Sequence, residues 1–326
     1  MGDAATSDER TVRACLRLMS VPSGAFDLEI LSGGASGSHV YGVTLPERAC
    51  VLKVTLATAE PHMLERSRRE VAFYSQMVGA APVRVPDVLG SYEDTAAGVC
   101  LLLKRYEAAR PARDWTAGDF ETLARQLADL HSAYWASPPE RLAWLDLPPD
   151  EDAALDTTHA RGEWAARAGQ AKFRSVLNRS AVGQVNALLD RIADMNAAIR
   201  STPSTLCHGD CHVGNILTDV AGVLVWSDWQ EVRWGPGPED LSFLLQRAEF
   251  DGATPCRELL ISAYHAQLRR HVDVSRRDVQ RVMDACELRT RLVAWPMYLA
   301  GASEDAMRAM LARIAALAHT LSLGGV

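Results

Sequence analysis

The sequence predicts an α+β chain in two lobes: a small antiparallel sheet carrying one helix, followed by a larger, mainly helical part. Three observations predict it. Short runs of alternating apolar and polar residues fill the first third, helical spacing of apolar residues fills most of the rest, and all eight tryptophans fall in the second part. With 326 residues, 48% of them apolar, the chain has material for two cores. Its formal charge of −7 argues against a sequence-independent nucleic-acid binder, which needs a basic face. No apolar run approaches the roughly 18 residues of a membrane span.

The elements follow in order. Phe26 to Leu31, His39 to Leu45, Ala49 to Leu56, Val85 to Tyr92 and Val99 to Tyr106 have strand length and β-branched or aromatic content. Between the third and fourth, Pro61 to Met77 places Leu64, Val71 and Tyr74 on one helical face. These make the first lobe, residues 1–105, and residues 106–326 make the second. There Thr116 caps a helix with Asp119 three residues on, and Phe120, Leu123, Leu127, Leu130 and His131 continue its inner face. Further helices are expected at Ser180 to Arg200, Pro238 to Phe250, Arg257 to His271, Arg276 to Tyr298 and Glu304 to Leu321. One hairpin interrupts them, with Gly214 to Leu217 and Val223 to Trp226 flanking the turn Asp219-Val220-Ala221-Gly222.

Two counts sharpen the picture. Seven cysteines, an odd and mostly isolated set in a large chain, read as reduced thiols in a cytoplasm. Of the 34 basic residues only Lys53, Lys104 and Lys172 are lysine and the other 31 are arginine. That bias reflects a GC-rich coding sequence, and it marks each lysine as a place where an ammonium is needed.

The densest chemical signal is Cys207-His208-Gly209-Asp210-Cys211-His212-Val213-Gly214-Asn215, followed by Trp226-Ser227-Asp228-Trp229. Hairpin pairing brings Asn215 and Asp228 together. An amide oxygen and a carboxylate converging from neighbouring strand ends form a hard-oxygen site suited to Mg²⁺. Asp210, just before the hairpin, faces the same point as a base, and the set is the equipment of phosphoryl transfer. The competing reading pairs Cys207 with Cys211 and His208 with His212 as zinc ligands, but the glycines put them on a loop, where spacing of four guarantees nothing.

This segment resembles the aminoglycoside phosphotransferase family, small-molecule kinases with a protein-kinase-like two-lobe fold. The residues that match are His208, Gly209, Asp210, Asn215, Asp228, Trp229, Gly235, Asp240 and Leu241. The resemblance implies Asp210 as catalytic base, Asn215 and Asp228 as metal ligands, and Asp240 as a structural carboxylate. It implies ATP or GTP as phosphoryl donor, Mg²⁺ as cofactor and a small-molecule hydroxyl as acceptor. The expected acceptor is an antibiotic of the aminoglycoside, macrolide, peptide or nucleoside class, phosphorylated in self-resistance. The alternatives are a metabolic kinase of a choline-like or sugar-like alcohol, or a catalytically silent nucleotide-binding module. No nucleic-acid or membrane partner is expected, and the chain is expected as a monomer or homodimer.

The first lobe supplies matching parts. Val51-Leu52-Lys53-Val54 puts an ammonium on the third strand, where a kinase-like site holds phosphates, and Glu70, preferred over Glu65, is its carboxylate partner. Gly34, Ser36, Gly37 and Ser38, in the turn between the first two strands, offer backbone N–H groups and hydroxyls to the triphosphate. Lys104 to Glu107 is the expected hinge for the purine. His131 reads as a satisfied interior histidine, and Glu231, Glu239, Glu249 and Asp251, Asp240 excepted, as mostly solvated acids at helix ends.

Overall fold

The computed structural model describes residues 2–22, 24–31, 38–77, 79–138, 140–142, 144–145 and 152–323. In chain order these form α1 (Gly2–Leu18), β1 (Asp27–Leu31), β2 (His39–Leu45), β3 (Arg48–Leu56), α2 (Pro61–Met77), β4 (Val88–Asp94) and β5 (Gly98–Lys104). Then come α3 (Ala117–Ala133), α4 (Asp152–Ala168), α5 (Arg179–Leu189), α6 (Ile192–Ile199), β6 (Ser204–Cys207), β7 (Ile216–Thr218), β8 (Leu224–Trp226) and β9 (Arg233–Pro236). The last helices are α7 (Pro238–Phe250), α8 (Arg257–Leu268), α9 (Arg276–Val293) and α10 (Glu304–Thr320). Two compact units result, one of residues 1–112 with 208–232, the other of 113–207 with 233–326.

In the first unit the five strands run antiparallel in the order β1-β2-β3-β5-β4. Strand alternation sends Tyr41, Val43, Cys50, Leu52, Val54, Cys100 and Leu102 to one face, where α1 adds Val12, Cys15 and Leu16. Fully burying such aliphatic side chains stabilises by about 1.5–3 kcal/mol each, so α1 belongs to the core. Val40 pairs with Lys53 and Lys53 with Leu101, all on the opposite face, where α2 packs. The hairpin β7–β8 belongs to this unit. Glu107 bridges Thr218 antiparallel, the Trp226 N–H donates to the Arg84 carbonyl, and the Arg84 guanidinium pairs with Asp219.

In the second unit α4, α5, α6, α9 and α10 enclose a core that includes Trp164, Phe173, Leu188, Met195, Leu292 and Leu317. The helix at Thr116 starts with the reciprocal capping box its sequence demands. The expected helix from Ser180 to Arg200 is two helices. Arg161 of α4 donates to the Asn186 carbonyl and side chain and to Asp190, and so captures the end of α5. The expected helix to Tyr298 ends at Val293, because Pro296 has no N–H to continue it. α1 and α4 are absent from the sequence reading, as is the pairing of β6 with β9.

Buried Glu287 organises the α8–α9–α10 junction. It accepts from Arg257, Arg291 and Arg313 at 2.7–2.8 Å, while Asp284 pairs with Arg257. Burial pushes its carboxyl up, but the three guanidiniums outweigh that and hold it at about 2, below the ordinary 4.5. A depressed carboxylate contributes stability above its unfolded value and loses it as pH falls toward the folded one. Glu287 therefore contributes on the order of 3 kcal/mol at neutral pH, withdrawn between about pH 4.5 and pH 2. Glu287→Gln is expected to cost roughly 3 kcal/mol at pH 7, since it leaves three partly buried guanidiniums without their shared carboxylate. Urea unfolding at pH 7 and pH 3 checks both, the variant losing less than wild type on acidification.

Candidate active site

The site is assembled within the first unit. Lys53 Nζ lies 2.8 and 3.0 Å from the two Glu70 carboxylate oxygens and 2.7 Å from Asp228 Oδ1. Burial pulls the ammonium down, but the two carboxylates raise it further than burial lowers it, so it stays charged. Asp228 is likewise pushed up by burial and pulled down further by Lys53, ending below the ordinary carboxylate range. Glu65, the discarded partner, pairs with Arg69 on the helix surface.

α2 holds Glu70 in place through a second contact. Three residues on, Phe73 stacks flat on Trp229 with ring centroids 4.0 Å apart, and Trp229 donates its indole N–H to the Trp226 carbonyl. The helix that carries Glu70 is thereby packed against the residue that follows Asp228. Asp228 itself sits in the left-handed region at φ 64°, ψ 59°, an uncommon backbone state for a residue with a side chain.

Asn215 and Asp228 come together as the hairpin reading expects. Ile216 pairs with Trp226, and beyond that pair both the N–H and the hydroxyl of Ser227 donate to the Asn215 carbonyl at 2.9 Å. The Asn215 amide nitrogen donates to the Asp210 carbonyl at 2.9 Å and to Asp210 Oδ2 at 3.2 Å. Its amide orientation is thereby assigned. Asn215 Oδ1 and Asp228 Oδ2 are left with no donor among the described residues. Two unclaimed hard oxygens beside a charged ammonium fit Mg²⁺, which accepts few protein ligands and keeps its waters.

Two histidines, His208 of the motif and His212, which sequence reasoning weighed only as a zinc ligand, position the loop. His208 Nδ1 accepts from the Asp210 N–H at 3.3 Å, so its Nε2 carries the proton and donates to the Ser227 carbonyl at 2.9 Å. His208 thus ties the residue before Asp228 to the backbone of Asp210. His212 Nδ1 accepts from the Gly214 N–H at 3.1 Å, and its Nε2 faces Asp210 Oδ2 at 3.7 Å. Asn215 and His212 therefore both address Oδ2, and no donor among the described residues reaches Oδ1. Gly209 has φ 84°, and a Cβ there would lie 1.9 Å from the Glu231 carbonyl oxygen, so the loop admits only glycine at this point.

A cavity of about 820 Å³ opens beside these groups, within the size range of a cofactor site. Val40, Val51 and Leu103 line it, Lys53, Asn215 and Asp228 border it, and Lys104 to Glu107 form another side. Of the serine and glycine loop, Gly34, Ser36 and Gly37 lie outside the described residues. Ser38 shares a hydrogen bond with the Thr55 hydroxyl at 2.7 Å, and Thr55 shares one with Ser67 of α2. The other two lysines have different work: Lys104 pairs with Asp87 at the surface, and Lys172 caps the Ala300 and Ala302 carbonyls at 2.8 Å.

The zinc reading finds no support. Among the described residues, the His, Cys, Asp and Glu ligand atoms that gather within 4.8 Å in a group of three or more belong to His131, Cys207 and Asp240. In the second unit His131 is satisfied as expected, by the Tyr264 hydroxyl at 2.8 Å and Asp240 Oδ2 at 3.3 Å. The suspected acidic cluster is internally paired: Glu231 with Arg66, Glu239 with Arg233, Glu249 with Arg291 and Asp251 with Arg247. Among the described residues no helix is long and apolar enough to cross a membrane.

Solved structures resemble the chain over nearly its whole length. A microcompartment-associated aminopropanol kinase superposes with a TM-score of 0.64 at 18% identity, covering 95% of each chain. The GDP complex of wild-type aminoglycoside 2'-phosphotransferase-IIIa gives 0.63 at 13%, covering 96% of this chain and 98% of that one. Choline kinase from Cryptosporidium parvum gives 0.61 at 11%, with 97% and 96% covered. These likenesses establish a kinase-like fold. No curated protein sequence matches the chain. The model of the phosphotransferase enzyme family matches residues 27–296, so it spans the sheet, the catalytic-type loop and most of the helical unit. The chain belongs to the phosphotransferase enzyme family.

Proposed function

We propose that this phosphotransferase moves the terminal phosphoryl group of ATP or GTP to a hydroxyl of a small molecule in the cytoplasm, and that the acceptor is an antibiotic. The observation that carries the reading is the convergence of Lys53, Asp210, Asn215 and Asp228 in one unit beside a cavity of nucleotide size. In this reading Lys53, held by Glu70, grips the phosphates, and Gly34, Ser36, Gly37 and Ser38 offer them backbone N–H groups and hydroxyls. Asn215 Oδ1 and Asp228 Oδ2 hold Mg²⁺, which when bound neutralises phosphate charge. Asp210 Oδ1 orients the acceptor hydroxyl and takes its proton, while Oδ2 is kept occupied by Asn215 and His212. Positioning and charge complementarity supply most of the rate.

The pairing of Glu231, Glu239, Glu249 and Asp251 with arginines leaves these acids little free charge for a polycation. This favours macrolide, peptide or nucleoside acceptors over aminoglycosides. The second reading is a metabolic kinase of a small alcohol, favoured by the likeness to aminopropanol and choline kinases. A transfer screen with ATP and GTP against antibiotics and amino or sugar alcohols separates the two. Phosphorylation of an antibiotic hydroxyl at the highest kcat/KM supports the first reading, and preference for a metabolic alcohol replaces it with the second. Tight nucleotide binding without transfer to any acceptor points instead to a silent module.

A further inference from the structure

One pair of nucleophiles lies outside the phosphotransfer chemistry. Cys15, on the inner face of α1, and Cys100, in β5, place their sulfurs 2.8 Å apart inside the sheet core, and both are buried. All seven cysteines are in the thiol form, and of them Cys256 alone is exposed. Cys100 pairs with Val54 across β3 and faces α1, so this sulfur pair lies on the sheet face opposite Lys53.

We propose that Cys15 and Cys100 form an oxidation site at which hydrogen peroxide closes a disulfide that staples α1 to β5. The separation is well inside ordinary sulfur–sulfur contact, and both residues are core members of elements already packed together, so closure needs little movement. The Cys100 S–H donates to Cys15 Sγ, which lowers the Cys15 thiol against the opposing effect of burial. Burial restricts the oxidant to a small, uncharged one.

The step balances. The Cys15 thiolate attacks one peroxide oxygen, breaking the O–O bond, to give a sulfenic acid and hydroxide. Cys100 sulfur then attacks the Cys15 sulfur, the S–O bond breaks, and water leaves. The two thiols lose two electrons and two protons, and one peroxide becomes two waters. The closed loop spans most of the first unit's sheet, so the cross-link restricts the unfolded chain strongly.

The test uses full-length protein carrying Cys256→Ser, to remove the exposed thiol. The native protein is treated with hydrogen peroxide, alkylated in denaturant, and analysed by intact mass and peptide mapping. The expected result is the loss of two alkylatable thiols, a mass lower by two hydrogens, a linked pair of peptides containing Cys15 and Cys100, and a Tm raised by several degrees. Cys15→Ala and Cys100→Ala, each made separately, should both abolish the linkage, so one that fails to fold leaves the other as control. Six alkylatable thiols after treatment, or linkage of any other pair, would overturn the proposal. The readout is independent of phosphoryl transfer, so its failure leaves the proposed activity standing.

Discussion

Asp210→Asn is expected to leave nucleotide binding near wild type and to lower kcat by about 10²–10⁴-fold, the range spanned by a lost general base. The change is nearly isosteric, and the Asp210 backbone keeps its bonds to His208 and Asn215. What it removes is the proton-accepting capacity of Oδ1, the oxygen that no donor claims. The effect should fall on kcat, with the nucleotide KM unchanged. Steady-state kinetics together with nucleotide titration separate the two. Wild-type turnover in this variant would show that another group takes the proton.

Lys53→Arg is expected to lower kcat/KM for the nucleotide by on the order of 10²-fold, although charge is conserved. The ammonium sits at 2.7–3.0 Å from three carboxylate oxygens of Glu70 and Asp228, a compact, largely buried arrangement. A planar guanidinium is broader, presents its donors as a fork, and would push α2 away from the Asp228 loop. That displacement disturbs the Phe73–Trp229 stack as well. The sequence gives the same expectation from composition, because a chain with 31 arginines keeps lysine here. Kinetics with varied nucleotide measure it, and a near-neutral result would remove the argument from lysine scarcity.

The sheet was readable because its alternation is strict: the same parity that buries Leu52 and Val54 under α1 turns Lys53 to the opposite face. That Lys53 faces α2 and that Asn215 neighbours Asp228 follow from that parity and from hairpin register, whereas Glu70 is preferred over Glu65 because its segment resembles the family's helix. α1 was not readable, since its buried face is chiefly Val12, Cys15 and Leu16, little more than one turn of signal in a polar segment. α4 hid for a related reason: its clearest inward residues are Ala160 and Trp164 among many alanines. Within the site, the motif could name Asp210, Asn215 and Asp228 but not the hydrogen bonds that orient them. The proton positions on His208 and His212, the left-handed backbone of Asp228 and the Arg84–Asp219 pair depend on contacts that no spacing rule encodes.

The central claim is that Lys53, Asn215 and Asp228 together form a metal-assisted triphosphate site. It is tested most directly by calorimetric titration of ATP and GTP, with and without Mg²⁺, into wild type and Asp228→Asn. No acceptor needs to be known. The account predicts that Mg²⁺ tightens wild-type binding of at least one nucleotide by tenfold or more and that Asp228→Asn loses this dependence. Binding that is indifferent to Mg²⁺ in wild type, or equally Mg²⁺-dependent in the variant, would contradict it.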